Sequence, residues 1–345
     1  MARVTIKDVA RHAGISYQTV SRVINNKGDV APETRARVLA SIEALNYRPS
    51  LAARLLAQDE DRTFVIAATI PYFDPNFVFG NDHLMQILRG IDLEATFRDY
   101  SLLLATSRSP DDPWSAYHRL LNRQMVDGII FESGRGDEGA LLLAERGYPV
   151  VISGYTDSDI PCVHADDENG AYILTQHLLA LGHRAIGVIT GPENAASVQA
   201  RWRGYERAMC DAALDPSGTP HTQGGFTVEG GYQAAAQLFQ TSAQVPTALF
   251  AFNDAMAIGA IRWLTEYGYR IPGDVSVVGF DDIPTAELQN PALTTIRLPS
   301  VEQGRRVAQL LFDIIDGRSL SSTKIVVPTE LKVRSSTAIP RTNRR

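Results

Sequence analysis

A chain of 345 residues, 44% hydrophobic and 21% charged, is too long for one ordinary core and has the make-up of a water-soluble protein with two or three packing units. No apolar run approaches the roughly 20 residues of a membrane-spanning helix, and Met1–Asp8 lacks the apolar stretch of a secretory signal, so no membrane role and a cytoplasmic location are expected. The net charge of −6 argues against nucleic acid until it is divided: residues 1–58 carry nine Lys/Arg and four Asp/Glu, a net of +5, and the remainder carries −11.

Taken in chain order, Thr5-Ile6-Lys7-Asp8 has the form of a capping box, and Ile6, Val9, Ala10 and Ala13 form the apolar stripe of a first short helix. Gly14 ends it. Ser16 can cap a second helix that turns Val20 and Val23 inward and Tyr17, Gln18, Ser21 and Arg22 outward. A third helix starts near Pro32, a good first-turn residue, and buries Val38, Ile42 and Leu45. Two short helices joined by a glycine turn and braced by a third predict a helix-turn-helix. Its outward face suits base edges: Gln18 can pair with adenine, Arg22 with guanine, and Tyr17 offers ring and hydroxyl. Thr5, Ser16, Ser21 and Asn25 can bind phosphates and set register.

Residues 4–10 (VTIKDVA) and 13–25 (AGISYQTVSRVIN) closely resemble the headpiece of the LacI/GalR family of bacterial transcription regulators. The resemblance places Thr19 with Ser16–Arg22 in the recognition stretch. It implies a DNA-binding headpiece over 1–49 and a hinge helix and linker over 50–61. By composition alone Ser50–Gln58 is a helix of about nine residues, too short to be stable by itself. In the family this segment orders on DNA and wedges a leucine into the minor groove; Leu56 stands at that position and Arg54 beside it.

From Phe64 onward apolar strands alternate with amphipathic helices, the pattern of parallel sheets covered on both faces. Strands are expected at Phe64–Ile70, Tyr100–Thr106, Asp127–Glu132, Val150–Ser153, Arg184–Thr190, Ala248–Phe252 and Val275–Phe280. Helices are expected at Asp82–Phe97, Pro113–Arg123, Asn169–Leu181 and Ala200–Ala213, among others. Gly134–Gly139 fits G-x-G-x-x-G after a strand, but its own acidic residues and the preceding Glu132 would repel a pyrophosphate, so it reads as a surface loop. No G-x-S-x-G, H-E-x-x-H or Walker A motif occurs, and no catalytic residue, metal site or cofactor is expected. His177 and His183 read as structural. Cys162 and Cys210, in unrelated contexts, read as two buried free thiols in a reducing cytoplasm.

The resemblance continues through His177–Gly187, Ala200–Tyr205, Phe252–Gly259, Val277–Asp282 and Pro291–Ile296. It implies a periplasmic-binding-protein-like core over 62–340, with two parallel-sheet subdomains and an effector cleft between them. The first subdomain would hold about 62–163 and 292–326, the second about 164–291 and 327–340. Carried over by position, Arg201, Asn253 and Asp281 match polar effector contacts of sugar-binding members, and Phe226 an aromatic position of the same cleft. Arg and Asp can chelate adjacent hydroxyls while an aromatic face covers the C–H side of a ring. The implied partners are an operator in double-stranded DNA, a small sugar-like effector and a second copy of the chain, since one head reads only a half-site. The implied function is a ligand-responsive repressor rather than an enzyme. Ala338–Arg345 carries no heptad repeat, so no assembly beyond a dimer is expected.

Overall fold

The computed structural model describes residues 4–24, 28, 30–47, 62–70, 81–106, 120, 125–132, 138–242 and 245–341. Asn25, Arg54 and Leu56, the hinge segment 50–58 and all but residue 120 of the helix expected at 113–123 lie outside them, as does most of the Gly134–Gly139 loop. The head and the body are two compact units.

In the head, helix α1 spans Ile6–Ala13, α2 Tyr17–Ile24 and α3 Pro32–Ala44. Asp8 fastens the start of α1: its Oδ2 accepts the Thr5 backbone N–H at 2.9 Å and the Thr5 hydroxyl at 2.7 Å. These bonds hold its carboxyl below the usual carboxylate range. Gly14 closes α1 at φ 64°, a left-handed conformation that costs a side-chain-free residue little. Ser16 Oγ then accepts the Thr19 N–H at 3.2 Å, which starts α2. Val9, Ala10, Val20, Val23, Val38 and Tyr47 close the small core. Beneath it His12 Nδ1 lies 3.1 Å from Ser41 Oγ, whose hydroxyl donates to the Arg37 carbonyl at 2.9 Å.

The body opens with β1 (Val65–Ile70), α4 (Asp82–Phe97), β2 (Ser101–Thr106), β3 (Gly128–Glu132), α5 (Glu138–Glu145), β4 (Val150–Ser153) and β5 (Cys162–Ala165). It continues with α6 (Asp167–Ala180), β6 (Ile186–Thr190), α7 (Ala196–Asp211), β7 (His221–Gln223), α8 (Val228–Thr241), β8 (Ala248–Ala251), α9 (Asp254–Glu266), β9 (Ser276–Val278) and α10 (Pro284–Leu288). It ends with β10 (Thr295–Arg297), α11 (Ser300–Ile315), β11 (Lys324–Val327) and β12 (Glu330–Lys332). One parallel sheet has the order β11-β5-β4-β3-β1-β2 and a second β7-β6-β8-β9. The chain leaves the first sheet after β5, returns to it with α11 and β11, and leaves again along β12. An antiparallel pair, β10 with β12, joins the two crossings.

Helices pack closely where glycines let them. A Cβ on Gly90 of α4 would sit 2.1 Å from the Val301 carbonyl oxygen of α11, and one on Gly304 would sit 2.1 Å from that of Ile87. Gly90→Ala is therefore expected to push α4 off α11 and destabilise the body by about 1–3 kcal/mol, read as a lower urea midpoint. An unchanged midpoint would mean the two helices slide apart freely.

His183 and His177 anchor the end of the chain. His183 Nε2 lies 2.9 Å from the Ala338 carbonyl and 3.0 Å from Ser276 Oγ, and His177 Nε2 lies 3.0 Å from Thr337 Oγ1. Burial lowers both pKa values below 6.5. The unfolded chain then binds protons more readily than the folded one, so stability is complete above pH 6.5 and declines as pH falls below it. Urea midpoints at about pH 7.5 and 5.5 should show the decline, and His183→Asn should reduce it; an equal decline in the variant would place the cause elsewhere. One expectation is corrected: Cys162 is a buried thiol, but Cys210 is exposed on the solvent side of α7, next to the inward-facing Ala208 and Met209.

Candidate functional site

Two surfaces carry the residues singled out from the sequence. On α2, Tyr17 is 53% exposed and Gln18 and Arg22 are exposed, while Val20 and Val23 on the other side are buried. Positions 17, 18, 21 and 22 lie on one helical face, with Ser21 half-buried among them. Gln18 and Arg22 make no side-chain hydrogen bond to other described residues, so their donors and acceptors face outward. Thr5, Ser16 and Thr19 are already engaged. The Thr5 hydroxyl is spent on Asp8, and the Ser16 and Thr19 hydroxyls lie 2.9 Å apart.

The second surface is a cleft of about 1250 Å³ between the two sheets. Parallel strands bring their C-terminal ends to it, where such sheets accept ligands. Ile70, Glu132 and Ser153 end their strands on one wall, and Asn253 and Asp281 follow β8 and β9 on the other. Arg201, Phe226, Asn253 and Asp281 all line this one cavity.

Arg201 is the centre of the second wall. It is 5% exposed, and its Nε and Nη2 both lie 2.8 Å from Asp167 Oδ1. Nη2 also faces Asp281 Oδ1 at 3.7 Å, Nη1 donates to the Phe252 carbonyl, and the guanidinium plane stands 3.9 Å above the Phe280 ring. One buried cation thus serves two carboxylates and favours Asp167 by distance. Burial raises the Asp281 carboxyl well above the usual range; Arg201 opposes this, and Asp254 and Asp167 add to it. Asp281 lines the cleft with its backbone at φ 120°. Its backbone ties it to the crossing ribbon, donating to the Ile296 carbonyl at 2.8 Å and accepting from Leu298 N–H at 3.2 Å. Asp282 beside it is held by Arg297 at 2.6 Å and Arg334 at 2.7 Å.

Asn253 lines the cleft and also has a structural job. Its Oδ1 accepts the Met256 N–H at 2.8 Å, capping α9, and its Nδ2 donates to the Phe226 carbonyl at 3.1 Å. It holds Phe226 in a left-handed conformation, φ 63°, with the ring laid on Gly191. A Cβ at Gly191 would come within 2.2 Å of that ring.

Sequence reasoning passed over Asp167, His83, Ser153 and Gln303, and treated Glu132 only as a loop neighbour. Asp167 is the first residue of α6 and was readable as an acidic first turn; its ion pair with Arg201 of α7, 34 residues away, was not. His83 Nδ1 lies 2.8 Å from Ser300 Oγ, and burial together with the Arg201 charge lowers its pKa to about 3. Burial pushes the Glu132 carboxyl up to about 8, against a hydrogen bond from Ser153. Among the described residues no cluster of His, Cys, Asp and Glu could hold a metal ion, and no helix is long and apolar enough to cross a membrane.

Comparison with known proteins fits both surfaces. Residues 5–50 match the family described as bacterial regulatory proteins, lacI family, and residues 175–337 match the periplasmic binding protein-like domain. The chain is similar to the HTH-type transcriptional repressor PurR of Haemophilus influenzae (strain PittEE), 33% identical over 96% of this chain and 98% of that one. It is similar also to the repressor of the same name from Photorhabdus laumondii subsp. laumondii, 36% identical over 96% of each chain. Among solved structures it resembles the lac repressor dimer bound to operator and the anti-inducer ONPF, with a TM-score of 0.87 and 29% identity over 98% of this chain and 100% of that one. It also resembles a transcriptional regulator CelR–cellobiose complex, with a TM-score of 0.74 and 33% identity over 97% of this chain and 100% of that one. With a relative more than 30% identical along nearly its whole length, a head that matches residues 5–50 and a two-sheet body behind it, the chain belongs to the lacI family of bacterial regulatory proteins.

Proposed function

We propose that this chain is a cytoplasmic, ligand-responsive transcription repressor and not an enzyme. It binds a pseudo-palindromic operator as a homodimer and takes a small sugar-like effector in the cleft. The observation that carries this reading is the pairing, in one chain, of an outward polar helix face with a cleft built on a buried, shared cation. Tyr17, Gln18 and Arg22 read base edges in a recognition stretch that includes Thr19; Thr5, Ser16, Ser21 and Asn25 set register on the phosphates; and Leu56 with Arg54 engages the minor groove. Thr5 and Ser16 contribute chiefly by positioning α1 and α2, because their hydroxyls are committed within the head.

In the cleft, Arg201 and Asp281 chelate adjacent hydroxyls and Phe226 covers an apolar ring face, while Asn253 keeps Phe226 in place. A ligand contact at Asp281 acts directly on the crossing ribbon, through its bonds to Ile296 and Leu298. Binding there biases how the two subdomains close, and so the spacing of the two hinge segments in the dimer.

Footprinting on DNA upstream of its own gene, with and without a panel of saccharides, tests the whole reading. A chain lacking residues 1–58 should lose all sequence selection, and the full chain should show a steep salt dependence. Selection of the same DNA by the truncated chain would overturn the assignment of the head. Within the head, Arg22→Ala should cost roughly 1–3 kcal/mol at one base pair and leave other positions unchanged. An equal loss on every sequence would make Arg22 a phosphate contact instead.

A further inference from the structure

The first-sheet wall of the cleft carries polar groups that the reading above does not use. Strands β3 and β4 end side by side, and Glu132 and Ser153 face one another in register there. Gln303 of α11 reaches the same place. It is 3% exposed, and its Nε2 donates to Ser153 Oγ at 3.3 Å and to the Val163 carbonyl at 3.4 Å. A peptide carbonyl can only accept, so the Val163 contact settles which end of the amide is nitrogen. The other end, Oε1, is buried and has no hydrogen-bond partner among the described residues. Both Glu132 and Gln303 line the cavity, and among the described residues no cation pairs with Glu132.

This wall asks for a particular chemistry. A buried amide oxygen accepts and cannot donate, so whatever meets it must bring an O–H or N–H. Burial raises the Glu132 carboxyl to about 8, and among the described residues no cation opposes it; in its neutral form it offers one donor and one acceptor. A ligand phosphate or carboxylate would set acceptor against acceptor at Gln303 and charge against a dehydrated acid at Glu132. Vicinal hydroxyls, each donor and acceptor at once, match all three groups.

We propose that Glu132, Ser153 and Gln303 form a second contact wall of the cleft, which holds adjacent hydroxyls of a neutral saccharide and rejects its phosphorylated and carboxylated derivatives. This rests on the reading that the cleft takes a sugar-like effector. The effector is then gripped from both sheets: by Arg201 and Asp281 on one side, and by this carboxylic acid–hydroxyl–amide group on the other. Closure of the cleft brings the two sets of bonds together, so the second wall contributes most in the closed state.

The test is calorimetry on the full chain with ribose, cellobiose, glucose, glucose 6-phosphate and glucuronate, together with thermal unfolding without ligand. At least one neutral saccharide should bind, and glucose 6-phosphate and glucuronate should bind roughly 100-fold more weakly than it or not at all. Gln303→Met keeps the length and removes the unpaired acceptor. It also removes the donor to Ser153 and Val163, so it should lower the unliganded unfolding temperature somewhat and, in addition, weaken binding about tenfold or more. Glu132→Gln, still neutral with a donor and an acceptor, should bind within about threefold of the parent, and Glu132→Leu should lose about tenfold. If Gln303→Met unfolds at a lower temperature and binds as tightly as the parent, the amide is a structural brace and the proposal fails. Tighter binding of glucose 6-phosphate or glucuronate than of any neutral saccharide would overturn it too. If no saccharide binds the parent chain, it is the sugar reading of the cleft that fails, and this wall's assignment goes with it.

Discussion

Arg201→Ala is expected to abolish the effector response and to destabilise the body by about 3–5 kcal/mol, because it strands the largely buried carboxylates of Asp167 and Asp281 without their cation. Two separate losses combine. Asp167 and Asp281 lose their shared counter-charge, and the Phe252 carbonyl and the Phe280 ring lose the donor and the cation they face. Arg201→Lys keeps the charge but not the planar fork that reaches Asp167, Asp281 and Phe252 at once, so it should fold better than Arg201→Ala and still bind effector poorly. Urea unfolding and calorimetry with the responding saccharide separate the two losses. Operator binding sorts the direction of control. If the effector is an inducer, the variant stays on DNA when it is added; if it is a corepressor, the variant no longer binds DNA in its presence. A variant with full affinity and normal switching would return Arg201 to a purely structural ion pair.

Gly191→Ala is expected to have nearly as large an effect on binding, with less harm to the fold. The added methyl group would meet three atoms of the Phe226 ring at 2.2, 2.5 and 2.6 Å. The ring cannot retreat cheaply, since the Asn253 amide holds the Phe226 carbonyl and the residue is already in a left-handed conformation. It therefore leaves its seat, the aromatic cover over the cleft is lost, and effector affinity falls about 10- to 100-fold, with a stability loss of about 1–3 kcal/mol. A double-mutant cycle identifies the cause. Gly191→Ala placed on Phe226→Ala has no ring to displace, so the pair should bind no worse than Phe226→Ala alone. Additive losses would show that Gly191 acts through something other than the ring.

Much of the head was legible because its structure is local. The capping box from Thr5 to Asp8, the left-handed Gly14, the start of α3 at Pro32 and the inward Val20 and Val23 each depend on residues a turn or less apart. In the body, α4 forms over the expected Asp82–Phe97 and β4 over Val150–Ser153, where patterning is strong. The short strands were not legible. Thr295–Arg297 and Glu330–Lys332 are strands only because each pairs with the other, and three residues carry no period of their own. Likewise β5 and β11 are neighbours only because the chain comes back to the first sheet.

The sequence by itself determined the division into basic head and acidic body, the class of both units, and which face of α2 looks outward. These follow from charge totals and from periods of two and about 3.6 residues, which need no knowledge of distant contacts. Only the tertiary structure decided what the cleft contains. Sheet order set Glu132 beside Ser153, and the returning chain laid Gln303 against Ser153 and Val163. The packing of α6 on α7 gave Arg201 to Asp167 ahead of Asp281. The fold also brought the Phe226 carbonyl within reach of the Asn253 amide, so the residue that caps α9 is a brace for Phe226 as well. A side chain's hydrogen-bond partners are set by whichever groups are buried with it, and burial is decided by contacts between segments that the one-dimensional pattern does not connect.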